Sequence, residues 1–212
     1  MPRWAGWAVA VLAFAAIAPL LGRLELANGI EVIHAATVLE MRRPGGTWLT
    51  PTLNGTPRVK KPPLPAWVGA LAVTDRTMAG VGSLDPTARA AAYDRLAWEI
   101  RWPALLAGCL AAAATFDLGR TIGGRRVGLA AAVVAVTSLL FLRFVRLAST
   151  DVHLFLWVAA ADALLARAAL RRQGWAVVAA GAAVGLAVMC KGPVAVLQTI
   201  VPLGAWAVMV RR

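Results

Sequence analysis

Four charged side chains stand at points of an apolar sequence where charge is unusual. Arg143, Arg146 and Lys191 fall near the ends of hydrophobic segments, and Asp151 begins another such segment. Clustered cations with a carboxylate close by could bind an anion. The alternative is that the arginines reach lipid headgroups while Asp151 caps a helix. A second basic group, RVKKPPLPAW at residues 58–67, raises the question of which side of a membrane it occupies.

The composition places these charges in a membrane protein. The 212 residues are 60% hydrophobic and carry a formal net charge of +12. Nucleic-acid-binding proteins expose basic patches on a polar surface, whereas here the cations flank long apolar segments. We therefore expect contact with membrane lipids and no nucleic-acid partner. Cys109 and Cys190 lie in separate apolar segments without metal-ligand spacing, so we expect no disulfide, no metal site and no cofactor.

Six segments are apolar enough to be membrane-spanning helices, since a span needs about 20 apolar residues. They are residues 4–22, 102–119, 127–145, 152–170, 174–190 and 193–210. The first segment could alternatively be a cleaved signal peptide. The sequence thus predicts an all-α integral membrane protein with about six spans, and residues 1–212 form one membrane domain.

The short loops predict the orientation, because Lys and Arg are enriched in cytoplasmic loops. The links at residues 120–126 and 167–172 carry three arginines each and no acidic residue. Both termini are therefore predicted to be cytoplasmic, in a multi-pass protein of the inner (plasma) membrane. Residues 23–101 then form one long extracytoplasmic loop, and this loop contains residues 58–67.

The loop is predicted to be ordered and to carry juxtamembrane helices. The stretch NGIEVIHAATVLEMRR predicts an amphipathic helix that begins after Asn28 as its cap. A second helix is expected from Pro65 to about Ala79. Short apolar helices beside a bilayer are expected to lie in its interface. The glycines, the Asp-Pro pair and the mixed charge of residues 80–100 predict a surface connection.

One ionisable residue falls inside a predicted span. Asp162 follows Asp151 by close to three helical turns, so both can face one side of the same helix. Charged groups within a span are costly and usually face protein or water. We expect Asp162 to pair with Arg120 or Arg167.

Five sequence blocks, within about residues 28–195, resemble a known family. They are IEVIHAATVLEM, GGTWLTPTLNGTPRVKKPPLPAW, RWPALLAG, LGRTIGGRRVGLAAAVVAVTSLLFLRFVRLASTDVHLFLW and GLAVMCKGPVAVL. The chain resembles the N-terminal half of GT-C-fold glycosyltransferases of the aminoarabinose transferase and protein O-mannosyltransferase type. The resemblance implies a membrane enzyme that transfers a sugar from a polyprenyl-phosphate carrier to a lipid or protein hydroxyl at the outer face.

The resemblance also implies roles for particular side chains. Preorganised cations would stabilise the charge on the departing phosphate, and the candidates are Arg58, Lys61, Arg146 and Lys191. A carboxylate would accept a proton and steady an oxocarbenium-like centre, and the outer-face candidates are Glu31 and Asp151. His34, one helical turn after Glu31, could orient that carboxylate or contact the substrate, with a packing role or a contact to lipid headgroups as the alternative.

Two positions depart from the family pattern. The family's first loop opens with Asp-Glu, whereas this chain has Ile30-Glu31, and the family's acid before the lysine-proline block is replaced in Lys60-Lys61. Both changes remove negative charge from the expected site. Family members are also considerably longer, so part of the substrate pocket is expected to be missing, either by truncation, by natural shortness or because another subunit supplies the C-terminal half. The alternatives are a non-catalytic relative or partner subunit that keeps the lipid-phosphate site, and a small transporter, although no internal repeat supports the transporter.

Overall fold

A computed structural model describes residues 4–23, 26 and 28–210 of the chain. In chain order the elements are α1 (Ala5–Ile17), a 3-10 helix (Ala18–Arg23), α2 (Gly29–Arg42), β1 (Thr52–Leu53), β2 (Thr56–Pro57), α3 (Leu64–Ala72), α4 (Asp75–Val81), α5 (Pro86–Thr137), α6 (Leu139–Phe144), α7 (Thr150–Arg171), α8 (Gly174–Lys191) and α9 (Val194–Val210). The two short strands form an antiparallel hairpin.

The apolar helices form the membrane part of the molecule. By length and composition α5, α7 and α8 can each cross a membrane, while α1 and α9 are shorter apolar helices. α5 is two helices joined at Gly124, whose φ of 84° and ψ of 178° lie in a region open to glycine. Its two arms carry the second and third predicted spans, and the third continues through α6. The prediction of an all-α membrane protein with about six apolar helices is confirmed.

Glycine also allows the two arms of α5 to meet closely. A Cβ atom on Gly119 would lie 2.9 Å from the Cα of Gly128, and one on Gly128 would lie 2.5 Å from the carbonyl oxygen of Phe116. Any side chain at either position would therefore push the arms apart. The glycine-rich block around residues 119–128 is needed for this tight reversal.

The long loop packs onto the first arm of α5. α2 begins after Asn28, whose Oδ1 accepts a hydrogen bond from the Ile30 N–H at 3.0 Å, as the sequence predicts. Val38 of α2, Ala70 of α3 and Leu96 of α5 are fully buried in one hydrophobic core. Burial of this apolar surface fixes α2 and α3 against α5, and so holds the loop in a defined position over the membrane helices.

Two expectations about the loop are wrong, and helix capping explains both. The helix expected from Pro65 to Ala79 divides after Ala72, because the Thr74 side chain accepts from the Thr77 N–H and starts α4. The surface connection expected at residues 80–100 is helical from Pro86 onward. Asp85 accepts from two backbone N–H groups there, and proline is favoured in the first turn of a helix.

The expected partners of Asp162 are engaged elsewhere. Arg120 and Arg167 both pair with Asp117 of α5, the Arg167 contact being 2.6 Å from Nη2 to Oδ2. Within the described residues Asp162 has no ion pair or hydrogen bond, and it lines a cavity of about 200 Å³ together with Trp206. The prediction that Asp162 pairs with an arginine is therefore wrong.

Candidate functional site

Glu31 lies in a buried ion pair rather than in an open cavity. Its Oε1 accepts from Arg101 Nε and its Oε2 from Arg101 Nη2, both at 2.7 Å, and Oε1 also accepts from the Ala148 N–H at 3.0 Å. The Arg101 Nη1 donates to the Leu21 carbonyl oxygen at 2.7 Å. The Glu31 side chain is 1% exposed and that of Arg101 is 0% exposed. This network joins the 3-10 helix, α2, α5 and the segment before α7.

The geometry favours a structural role for Glu31 over the predicted catalytic one. Both of its oxygens are occupied, and neither accepts from His34, the residue expected to orient it. Sequence reasoning missed Arg101 as a partner. The feature that could have marked Arg101 is its charge at the start of the apolar block RWPALLAG. Its partner Glu31 lies seventy residues earlier in the sequence.

A cavity of about 290 Å³ gathers five of the predicted site residues. α2, the segment after β2, the start of α7 and the end of α8 contribute its lining. The lining residues are Ile30, Ile33, His34, Arg58, Lys61, Ala148, Thr150, Asp151 and Lys191. Arg146 is half-buried and does not line this cavity. Four segments that are distant in sequence therefore meet at one charged cavity.

Asp151 and Lys191 form an ion pair in the wall of this cavity. The Asp151 side chain is 33% exposed and the Lys191 side chain is 35% exposed, so both remain accessible. Lys191 ends α8, and Gly192 follows with a φ of 76° and donates its N–H to the Val188 carbonyl oxygen at 2.7 Å. Glycine suits this left-handed position at a helix end. The Lys-Gly-Pro block thus sets the lysine at the rim where α8 turns.

Glu40 holds the hairpin that leads to two of the cavity cations. It accepts from Thr52 Oγ1 at 2.6 Å, from the Asn54 N–H at 2.5 Å and from the Gly55 N–H at 3.2 Å. The Thr52 hydroxyl, followed by these backbone donors, keeps the pKa of Glu40 below its usual range. Directly after the hairpin, Arg58 donates its N–H to the Pro51 carbonyl oxygen at 2.8 Å. Sequence reasoning missed Glu40, because no spacing pattern marks a carboxylate that binds a later turn.

His34 is a neutral group in the cavity wall. It is 6% exposed, and burial, together with the charges of His153 and Arg58, lowers its pKa to about 3. α3 lies so close that a Cβ atom on Gly69 would be 2.8 Å from the His34 Nε2. His34 therefore packs α2 against α3 and can offer a hydrogen bond, but not a charge, to a bound molecule near neutral pH.

Ile30 is the residue of the Ile30-Glu31 pair that faces the cavity. Its side chain is 56% exposed, whereas Glu31, about 100° further around the helix, points to Arg101. Asp151 is consequently the one carboxylate among the described lining residues. At the position where the family pattern has aspartate, the cavity wall is apolar.

The charge balance of the cavity favours an anion. Arg58, Lys61 and Lys191 face a single carboxylate, so the lining carries an excess of positive charge. Burial lowers the pKa of Arg58, which nevertheless stays protonated because arginine titrates far above neutral pH. Within residues 4–23, 26 and 28–210 no three His, Cys, Asp or Glu side chains cluster as metal ligands. Cys109 and Cys190 are free and buried.

Comparison with known proteins places this cavity in a known fold. Residues 91–212 match the sequence profile of the dolichyl-phosphate-mannose-protein mannosyltransferase family. The crystal structure of ArnT from Cupriavidus metallidurans in the apo state is similar with a TM-score of 0.73 and 21% identity, covering 98% of this chain and 36% of that chain. The crystal structure of ArnT from Cupriavidus metallidurans bound to undecaprenyl phosphate is similar with a TM-score of 0.70 and 21% identity, covering 99% of this chain and 37% of that chain. No curated protein matches at a significant level.

These likenesses show the fold. The GT-C architecture predicted from the sequence blocks is confirmed. The chain spans just over a third of the length of ArnT, so the matched region corresponds to part of that protein.

Proposed function

The chain belongs to the dolichyl-phosphate-mannose-protein mannosyltransferase family, and we propose on this premise that it is a membrane glycosyltransferase or the N-terminal module of one. It would move a sugar from a polyprenyl-phosphate carrier to a lipid or protein hydroxyl at the outer face of the membrane. The observation that carries the proposal is the single cavity in which Arg58, Lys61 and Lys191 meet Asp151. The ArnT structure with bound undecaprenyl phosphate supports this class of ligand.

The cations would act on the leaving group. When the bond between the sugar and the lipid phosphate breaks, negative charge develops on the phosphate oxygens. Preorganised cations at that point lower the barrier because they need no rearrangement during the reaction. Arg58 can bind two phosphate oxygens at once, and the two lysines act as point charges. Arg146 lies outside the cavity lining and would contribute through longer-range attraction alone.

Asp151 has two proposed roles that an experiment can separate. As a general base it would accept the proton of the attacking hydroxyl, since it is the carboxylate on the described cavity wall. As a partner of Lys191 it would hold the ammonium group toward the phosphate. Asp151→Asn should abolish transfer in both cases. It should leave carrier binding intact if Asp151 is the base, and weaken binding if it orients Lys191.

A specific observation supports the alternative of a non-catalytic relative. Ile30 occupies the exposed position on α2, and an isoleucine cannot accept a proton. With Asp151 engaged by Lys191, the cavity would then bind the lipid phosphate without turnover. In this second function the chain would serve as a partner subunit of another membrane protein.

Sugar release from a labelled polyprenyl-phosphate sugar in nanodiscs distinguishes the two functions. Release by the wild type that stops in Asp151→Asn supports the transferase. Binding of polyprenyl phosphate without release supports the non-catalytic relative, and in that case Ile30→Asp is the change expected to produce measurable release. Failure to bind polyprenyl phosphate at all would overturn both functions.

The outer-face location is also a proposal, and it rests on the basic short loops. We propose that residues 1–212 form one domain of the inner membrane, with residues 23–101 outside and both termini inside. A phosphatase reporter fused after Pro57 should be active, and one fused after Gly124 should be inactive. The reverse pattern would place the cavity on the cytoplasmic face and contradict the proposed reaction site.

A further inference from the structure

A second charged cavity lies at the opposite end of the membrane helices. It has a volume of about 480 Å³ and is an open groove bordered by α1, α5 and α7. The charged side chains in its lining are Asp117, Arg120 and Arg167, and the remainder of the lining is apolar or aromatic. Asp151 and Arg167 are both on α7, sixteen residues apart, which corresponds to about 24 Å along a helix. This cavity is therefore separate from the candidate site and belongs to the other leaflet.

The charged group in this cavity carries net positive charge and unused donors. Arg120 and Arg167 share the two oxygens of the single carboxylate of Asp117, which leaves one positive charge in excess. An arginine has five N–H donors, and Asp117 engages one nitrogen of each guanidinium. The Arg120 Nε is buried and has no hydrogen-bond partner among the described residues. An anion with several oxygens would satisfy these donors.

Measured from its charged end to its apolar end, the whole cavity has about the depth of one leaflet. Its walls run from Leu110 to Arg120 on α5 and from Leu156 to Arg167 on α7. At the rise of an α-helix both stretches measure about 15–17 Å. This is about half of the roughly 30 Å hydrocarbon core of a bilayer. Trp7 and Trp157 add aromatic surface, and Trp7 is 58% exposed near the charged end, where α1 begins.

We propose that this cavity binds one anionic phospholipid from the leaflet opposite the candidate site. The headgroup phosphate would accept hydrogen bonds from the free donors of Arg120 and Arg167, and one acyl chain would lie along the apolar walls. Arginine forks suit phosphate geometry, and basic pockets between membrane helices recognise anionic headgroups. The inference does not depend on glycosyl transfer, because it uses none of the residues of the candidate site.

Native mass spectrometry of the delipidated full chain in detergent can test the proposal. The probes are phosphatidylglycerol, phosphatidylcholine with the same acyl chains, and glycerol 3-phosphate. We expect phosphatidylglycerol to be retained at concentrations where the other two are lost, since the site uses the phosphate charge and the chain together. Equal retention of the two lipids would overturn the proposal. Binding of glycerol 3-phosphate as tight as that of phosphatidylglycerol would identify a free-phosphate site and also overturn it.

Two matched arginine substitutions test whether the lipid binds in this cavity. Arg167→Gln should weaken phosphatidylglycerol binding at least tenfold, whereas Arg171→Gln, an equal loss of charge at an exposed position of the same helix outside the cavity, should leave it unchanged. Equal effects of the two substitutions would contradict the site. If Arg167→Gln does not fold, Asp117→Asn tests the proposal instead. This variant frees the N–H donors of Arg120 and Arg167 from the carboxylate, so it should tighten phosphatidylglycerol binding. Unchanged or weaker binding in Asp117→Asn would reduce the cluster to a structural ion pair.

Discussion

Two ion pairs near the same end of the membrane helices have similar chemistry and opposite surroundings. Glu31 and Arg101 are almost completely buried, and the carboxylate also accepts a backbone N–H. Asp151 and Lys191 are each about one-third exposed and border a cavity. A buried pair with every group satisfied can hold helices together but has no capacity for a ligand. A pair that is about one-third exposed contributes little to folding, and its charges remain accessible to a ligand.

Breaking the buried pair should have the largest effect. Arg101→Met removes the cation and leaves the Glu31 carboxylate buried without it, which costs about 3–5 kcal/mol. We expect a large fall in the thermal unfolding midpoint in detergent, or failure to accumulate folded protein. Lys191→Met, which breaks the exposed pair, serves as the control and should unfold close to the wild type. Equal stability of Arg101→Met and the wild type would contradict the assigned role of the buried pair.

The second largest effect concerns pH, through the neutral His34 in the cavity wall. Its folded pKa of about 3 lies below the ordinary 6.5, so below pH 6.5 the unfolded chain binds the proton and the folded chain does not. Stability should therefore fall as the pH decreases, by about 2 kcal/mol between pH 6.5 and 5. His34→Gln should remove this part of the pH dependence of the unfolding midpoint. An unchanged pH profile in that variant would show that His34 is not the titrating group.

The third prediction sharpens the functional side of the comparison. Lys61→Met and Lys191→Met should each weaken polyprenyl phosphate binding about tenfold or more, since a charge-assisted hydrogen bond contributes about 1.5–3 kcal/mol. Arg146→Gln should have a smaller effect because Arg146 lies outside the cavity. Arg143→Gln, at an exposed position outside the cavity, provides the matched control. If all four variants bind alike, the cavity cations are ordinary interfacial charges.

The smallest predicted effect concerns the hairpin that carries two of the cavity cations. Glu40→Gln keeps the shape of the side chain but weakens its bonds to Thr52 and to the backbone of the turn. We expect a few-fold loss of lipid-phosphate binding with little change in the unfolding midpoint. Asp85→Asn is the control, because Asp85 also accepts backbone N–H groups but caps α5. Similar binding losses in both variants would argue against a positioning role for Glu40.

Hydropathy was sufficient to predict the membrane helices, whereas most of the cavity residues were predicted through the resemblance to a known family. Span length is a local property, so the apolar segments and the Asn28 cap could be found without knowing any contact. Among the cavity cations, Lys191 could be found because short loops on the predicted outer side rarely carry Lys or Arg, and Arg58 and Lys61 could be found through the family resemblance. In contrast, the Glu31–Arg101 pair joins residues seventy positions apart, and no local pattern predicts which face of α2 turns toward α5.

Tertiary packing also decides whether Glu31 or Ile30 faces the cavity, through a rotation of α2 by about 100°. The wrong partner predicted for Asp162 has the same origin. Asp117, and not Asp162, receives both nearby arginines because Arg167 reaches from α7 back to α5. The start of α5 at Pro86 was the exception, since its capping residue was visible in the sequence and Asp-Pro was interpreted as a turn.

The length of the first arm of α5 has a consequence for how the protein responds to its bilayer. Residues 86–123 span about 57 Å at 1.5 Å per residue, nearly twice the roughly 30 Å hydrocarbon thickness. The same rod carries Arg101 of the buried pair and Arg120 of the opposite cavity. The apolar stretch of this arm, residues 102–119, covers about 27 Å, and a membrane thinner than this stretch tilts the helix. Because residues 86–101 continue the helix beyond the apolar stretch, such a tilt would displace Arg101, which binds Glu31, and with it the adjacent wall of the candidate site. The acyl-chain length of the host membrane is thus expected to change the geometry of the candidate site, although the lipid does not touch it.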